Sequence, residues 1–280
     1  MPTTRAPFGQ RTLLTTTPDP VATGSGGFDL AAAMDAHPFT PVDQTTHPPG
    51  TIGIVTGELL RYAAFWRSLT GLASPPGTAL VQSAGMDIAT NRNQAAAAMR
   101  GDWLFTLDDD LVLLPDTLTR LLAVLAEGVY DVVCAYSLRR QPPHDSLVYL
   151  DDPTVPPHPE PWIPDGRGGV MEIAAAGLGG VLIHKRVFDA LERPYFRVGQ
   201  VAPDHLHEDV EFCRRVRAAG FRVCVDLDAP VGHITPTVVW PARTPAGGHH
   251  LALVGIDGRI APVDPGPLRT AQPHPSLVGL

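Results

Sequence analysis

From Thr51 onward the chain falls into short apolar runs separated by longer amphipathic stretches. Thr51-Ile52-Gly53-Ile54-Val55 is a compact β-branched run ending at Thr56-Gly57, and Thr78 to Gln82, Trp103 to Leu107 and Asp131 to Tyr136 repeat the pattern. Between these runs Leu59, Leu60, Ala63, Phe65, Trp66 and Leu69 recur at helical spacing, and Ile88 to Met99 holds an alanine block. Pro115 opens a third helical stretch, where its missing N–H costs nothing, with Leu118, Leu121, Leu122 and Leu125 on one face. Val170 to Ala176 and Val181 to His184 read as strands around Gly177, Gly179 and Gly180, and Phe188 and Leu191 fall on a short helix. A last helix with Val210, Cys213 and Val216 stops at Gly220. After it Phe221, Val223, Val225 and Leu227 alternate with Arg222, Cys224 and Asp226, the pattern of a half-buried strand.

This alternation predicts an α/β fold with a mostly parallel central sheet covered by helices on both faces. In such sheets the ligand crevice lies beyond the carboxyl ends of the strands. Three consecutive carboxylates, Asp108, Asp109 and Asp110, stand at such an end. Crowded there they repel one another and raise each other's pKa unless a cation is present. Hard oxygen ligands of this kind suit Mg²⁺ or Mn²⁺ carrying a phosphate group; the bland alternative is a solvated turn.

Composition narrows the choices. With 280 residues, 44% of them hydrophobic and 18% charged, the chain can bury a large core. A formal net charge of -8 and the lack of clustered Lys and Arg argue against a general nucleic-acid binder. Arg139, Arg140, Arg214, Arg215 and Arg217 are the densest basic positions, the last three reading as the solvated face of a helix. Cys134, Cys213 and Cys224 have no metal-type spacing and read as buried thiols in a reducing compartment. No apolar run reaches the roughly 18 residues of a membrane span, so a soluble, cytoplasmic protein is expected. Residues 1–50, rich in Thr, Pro, Gly and Ala, are expected to form a partly ordered arm, residues 51–240 a single domain, and residues 241–280 an extension with a hairpin at Leu253 to Val263. The proline-rich segment Gln141 to Arg167 would cross the surface near the crevice, with Trp162 as lid, sugar platform or anchor.

A second constellation lies further along. Glu208 and Asp209 fall in the first turn of the last helix, where the dipole favours ionised carboxylates, fit either for capping or for use as a general base. His233 follows the last strand and is either a packed histidine or a ligand.

The runs Gly101-Asp102-Trp103-Leu104-Phe105-Thr106-Leu107-Asp108-Asp109-Asp110, Gly177-Leu178-Gly179-Gly180 and His207-Glu208-Asp209-Val210-Glu211-Phe212-Cys213, followed by Gly220-Phe221 and Gly232-His233, resemble glycosyltransferases of the GT-A fold, family two type. The resemblance covers about residues 51–235 and implies a metal-dependent transferase using a nucleoside-diphosphate sugar, a UDP-sugar on family frequency, with Mn²⁺ or Mg²⁺. It implies that Asp110 is the principal metal carboxylate, that Asp108 lies by the ribose or shares the metal, and that His233 is a further ligand. Thr56 and Gly57 would border the nucleotide, Arg92 and Asn93 would contact the donor, and Asp109 would line its site; Gly177, Gly179 and Gly180, bare of side chains, suit either the crevice floor or a simple tight turn. Asp209 would deprotonate the acceptor hydroxyl, giving inversion, with Glu208 as the fallback. Phe212 to Arg217 lacks the Gln/Arg-x-x-Arg-Trp element of processive members, which implies single addition.

The acceptor stays open between a glycan, a protein, a lipid-linked sugar, a small molecule and a modified nucleobase. Two other readings compete with the transferase. A sugar-nucleotide nucleotidylyltransferase would want a Gly-rich basic loop after the first strand, which Thr56-Gly57-Glu58-Leu59-Leu60 does not offer. A non-catalytic nucleotide-sugar or carbohydrate-binding module would have little use for Asp108, Asp110, Asp209 and His233 together.

Overall fold

The computed structural model describes residues 46–56, 63–85, 87–140, 144–152, 161–163, 165–198, 207–235, 237–243, 249–255 and 260–262. Residues 1–45 of the expected arm and Gly57 lie outside them, as do 141–143, 153–160 and 164 of the expected surface segment and the chain after 262. Strands β1 (Thr51–Thr56), β2 (Ala79–Ala84), β3 (Trp103–Asp108) and β5 (Val132–Tyr136) lie where the apolar runs put them, with the two-residue β4 (Leu111–Val112) after the aspartates. Helices α1 (Ala63–Thr70), α2 (Ile88–Ala97) and α3 (Thr117–Ala126) fill the intervals. Then come β6 (Val148–Tyr149), β7 (Val170–Glu172), β8 (Ala175–Ala176), β9 (Gly180–His184), α4 (Lys185–Ala190) and α5 (Glu208–Ala218). Strands β10 (Val223–Pro230), β11 (Gly232–Thr235), β12 (Thr237–Arg243), β13 (His249–Gly255) and β14 (Ile260–Pro262) complete the order.

The main sheet has seven strands in the order β2-β1-β3-β9-β5-β10-β7. Its parallel pairs are β1 with β2, β1 with β3 and β5 with β10; β9 runs against both β3 and β5, and β7 against β10. Five strands therefore share one direction and two oppose it. The sheet is mixed α/β and mostly parallel, and the carboxyl ends of β1, β3 and β5 meet at one edge. Because β9 is reversed, its start at Gly180 falls at that same edge, paired with Leu107.

Alternate residues of these strands feed two apolar layers. Leu104, Cys134, Val181, Ile183 and Val225 meet Ala89 and Ala95 of α2, Phe188 of α4 and Phe212 of α5 on one face. Ile52, Ile54, Phe105, Leu107, Val133 and Cys224 meet Phe65 of α1 and the leucine stripe of α3 on the other. Each fully buried Leu of that stripe contributes about 1.5–3 kcal/mol. On the first face α2 approaches β1 closely, since a Cβ on Gly53 would come within 2.9 Å of the Ala95 Cβ. Small residues at this crossing let the helix carry polar side chains down to the sheet edge.

Three expectations change. From Val223 to Leu227 the run is not half-buried: β10 lies between β5 and β7 with both faces covered, and its polar-looking positions Cys224 and Asp226 are buried too, while Arg222 just before it is exposed as expected. Cys224 behaves as a small hydrophobe, and the Asp226 carboxylate is satisfied by the Asp228 N–H at 2.9 Å. Val170 to Ala176 is not one strand either. Ile173 and Ala174 turn their N–H groups to Val223 O and Tyr149 O, which sends β7 into the main sheet and β8 into a two-stranded pair with β6. Lastly, Arg215 is not on a solvated face. It is buried, and donates to the carbonyls of Glu192, Pro194 and Tyr195, pinning the segment after α4 to α5.

Trp162 is an anchor. It is buried, meets Tyr136 edge-on with centroids 6.1 Å apart, and donates its backbone N–H to Val148 O. A second sheet runs β14-β13-β12-β11-β4, so the expected hairpin forms between β13 and β14, and β12 crosses residue 240. That sheet reaches back to β4, directly after the aspartates.

Candidate active site

An open cavity of about 550 Å³ lies at the carboxyl edge of the main sheet. Asp108, Asp109, Asp110, Arg92, Gly179, Glu208, Asp209 and His233 line it, joined by Arg139 and Arg140 from beyond β5 and by Leu147, Tyr149 and Val210 on its apolar side. Strand β3 delivers the aspartates. Helix α2 delivers Arg92, α5 begins at Glu208 and Asp209, and β11 brings His233. The last placement follows from a short ladder: β4 pairs antiparallel with β11 so that Leu111 faces His233, while Ile234 donates its N–H to the Asp110 carbonyl at 2.7 Å.

The Asp110 Oδ2 atom lies 3.4 Å from His233 Nε2 and accepts from Arg140 Nη1 at 2.8 Å. Its Oδ1 is buried with no hydrogen-bond partner among the described residues. His233 turns Nδ1 to the Leu138 carbonyl at 2.9 Å, which directs Nε2 at the carboxylate. Burial works against charge on both groups, but each favours it in the other. The Asp110 carboxyl is held below its ordinary value by His233 and Arg140, and the imidazole is raised by Asp110, the Leu138 carbonyl and Asp108.

Arg92, almost wholly buried, joins the two halves of the site. One guanidinium nitrogen reaches both Asp108 oxygens at 3.0 and 3.2 Å, and the other pairs with Glu208 Oε1. Burial pushes the Asp108 carboxyl up against the pull of Arg92, with Asp110 adding to the rise. Asp109 is raised by burial and by Asp110, and shares a hydrogen bond with Thr56. Asp209 accepts from the Val210 N–H at 2.7 Å; burial raises its carboxyl, and the neighbouring Glu208 raises it further against Arg92. The helix dipole alone had suggested a readily ionised pair; at Asp209 desolvation outweighs it.

Gly179 comes close to the aspartates, because a Cβ there would stand 2.9 Å from Asp108 Oδ2, and its carbonyl accepts the Asp108 N–H at 2.8 Å. The turn is therefore part of the cavity wall. Thr56 stands beside Asp109 just behind the lining. Asn93 does not reach the cleft: its amide oxygen accepts from the N–H groups of Tyr195 and Phe196, and its amide nitrogen donates to Phe196 O and Ala89 O. Facing outward on α2 by one residue from Arg92, it ties down the loop after α4.

Two site residues escape a reading by spacing. Arg140 sits beyond the carboxyl end of β5, and its signals were that edge position and its place beside Arg139 among the densest basic positions. Asn91 is fully buried and donates to Thr56 O and Gly85 O, holding the ends of β1 and β2 together. Its signal was five polar residues in a row, 90 to 94, on a helix that faces a sheet.

Residues 68–161 match the family model described as glycosyl transferase family 2. Over that third of its length the chain is similar to glycosyl transferase family 2. That match contains Arg92 and the three aspartates and ends before Glu208, Asp209 and His233. Solved structures similar to the chain include the crystal structure of A197 from STIV, at 18% identity and a TM-score of 0.49, covering 80% of this chain and 99% of that one. Another is the crystal structure of GalNAc-T7 with UDP, GalNAc and Mn²⁺, at 11% identity and a TM-score of 0.48, covering 68% of this chain and 44% of that one. No curated protein matches the chain. Among the described residues no helix is long and apolar enough to cross a membrane.

The donor set at Asp110 and His233 fits a divalent cation. Two atoms sharing a small cation lie roughly 3 Å apart, close to the observed separation of 3.4 Å. A ligating imidazole ordinarily donates its other N–H to a carbonyl, as His233 is placed to do with Leu138. Among the described residues no third His, Cys, Asp or Glu completes an all-protein cage. A site of that kind suits a metal that keeps positions for phosphate and water.

Proposed function

We propose that the protein is a metal-dependent, inverting glycosyltransferase of the hexosyltransferase type, moving a sugar from a nucleoside diphosphate, UDP as the working choice, to an acceptor hydroxyl. The observation that supports it most is the meeting of Asp110 with His233 in the cavity that also holds Asp209. Asp110 and His233 would hold Mn²⁺ or Mg²⁺, with Asp108 beside them. When bound, the cation supplies charge stabilisation to the departing diphosphate. Arg92 keeps Asp108 and Glu208 in place, so that neither carboxylate is free to swing toward the other. Gly179 leaves room for the Asp108 carboxylate at the cavity wall.

The acceptor oxygen attacks the anomeric carbon as the bond to the diphosphate oxygen breaks, and its proton passes to the Asp209 carboxylate. A single displacement of this kind inverts the anomeric centre. The base must come within about 3 Å of the hydroxyl, and Asp209 faces the same open space as the aspartates. Burial gives it a raised proton affinity, which makes it the stronger base once ionised. Leu147, Tyr149 and Val210 give the acceptor an apolar wall.

Thermal shift with a panel of nucleotide sugars, with and without Mn²⁺, tests the donor reading. One UDP-sugar should raise the melting temperature only with the metal present. The Asp209→Asn variant should keep that shift and lose about 10²–10⁴-fold in turnover, the usual range for a general base. Full activity in Asp209→Asn, with loss in Glu208→Gln, would move the base to Glu208.

A further inference from the structure

Among the described residues Arg140 is the one arginine that shares an oxygen with the proposed metal seat. It donates to Asp110 Oδ2 at 2.8 Å, the same oxygen that faces His233 Nε2. Its side chain is 48% exposed while that of Asp110 is 14% exposed, so the guanidinium reaches in from the cavity mouth to a recessed carboxylate. Arg92, the other guanidinium on this acidic floor, already holds Asp108 and Glu208. Among the described residues an incoming diphosphate meets two exposed cations at the mouth, Arg139 and Arg140, and of these Arg140 has as its present partner the carboxylate the metal needs. A divalent ion and a guanidinium on one oxygen repel, and the guanidinium is the mobile partner. Planar guanidinium groups also match phosphate oxygens two at a time.

We propose that Arg140 occupies the cation's place at Asp110 in the unloaded protein and gives it up when metal and donor enter, its guanidinium then pairing with the donor diphosphate. This inference rests on the transferase reading and adds a donor-binding residue to it. It predicts opposite effects on the two ligands. Without Arg140 the metal meets less competition, and the nucleotide loses a contact.

The test titrates Mn²⁺ into the full chain, following free Mn²⁺ by electron paramagnetic resonance, and then titrates UDP at saturating Mn²⁺. Arg140→Gln should bind Mn²⁺ about five-fold more tightly in the absence of nucleotide and UDP about five-fold more weakly, the scale of one exposed ion pair. Arg140→Lys, which keeps the charge, should stay near the wild type for Mn²⁺. Arg139→Gln removes an equal charge at the same rim without touching Asp110, and should change Mn²⁺ affinity much less. Equal Mn²⁺ affinity in Arg140→Gln and wild type, or an equal gain in Arg139→Gln, overturns the exchange while leaving the metal reading intact. Wild-type Mn²⁺ affinity in Asp110→Asn overturns the metal seat itself, and the exchange with it.

Discussion

Gly179 shows how narrowly the aspartates are held. It has no left-handed backbone to require glycine, so its restriction is one of space: an added methyl would stand 2.9 Å from Asp108 Oδ2 and 3.3 Å from Cγ. Asp108 cannot turn aside freely, because Arg92 holds both its oxygens. The cost must fall on the Arg92 contact or on the turn, about 1–3 kcal/mol for forced overpacking. Gly179→Ala is thus expected to fold, with a modestly lower melting temperature, and to bind Mn²⁺ and UDP more weakly in a direct titration. Gly177→Ala is the comparison, since its methyl would meet the flexible Leu147 side chain at 3.2 Å. Equal losses in the two alanine variants would show that crowding of Asp108 is not the cause.

Helices α2 and α5 place three charged groups, Arg92, Glu208 and Asp209, within electrostatic reach of one another, and that sets a pH dependence. The Asp209 carboxyl is raised first by burial and then by Glu208. A base works only when ionised, so turnover should fall as pH drops through this raised value and level off above it. Glu208→Gln removes the second cause and should move the acid limb of the kcat/KM profile to lower pH; a limb that stays in place would exclude Glu208 as the source of the shift. The helices themselves were legible, because Leu118, Leu121, Leu122 and Leu125 mark α3 and the stop at Gly220, in the left-handed region at φ 88°, marks the end of α5. The aspartate triplet was legible as the polar end of an apolar strand. What could not be read was pairing across distance. Nothing local tells that Gly180–His184 runs against its neighbours, or that the two-residue β4 would draw His233 onto Asp110. Arg215 misled for a related reason: its carbonyl partners lie in a loop that the helix pattern does not contain.

At the scale of the molecule, covering both faces of the sheet buries all three thiols, Cys134 and Cys213 in one layer and Cys224 in the other. Burial drives each thiol up: Cys213 from its ordinary 9.0 to about 12, Cys134 and Cys224 further. The native state therefore keeps its thiol protons while the unfolded chain begins to release them near pH 9. With fewer protons bound in the unfolded state, stability is fully present below that pH and falls as pH rises, by about 1.4 kcal/mol per pH unit for each thiol once the unfolded thiols titrate. Tyr130 and Tyr136 are raised as well, but from 10.0, so the interval between about pH 9 and 10 belongs mainly to the cysteines. Urea unfolding under reducing conditions across that interval should show the decline. Cys213→Ala leaves a small cavity whose cost does not depend on pH, so its stability begins lower but should fall less steeply, by roughly one thiol's share of the slope. Parallel slopes for the variant and the wild type would mean that Cys213 ionises in the folded protein as readily as in the unfolded chain, and that the layer around Phe212 admits water.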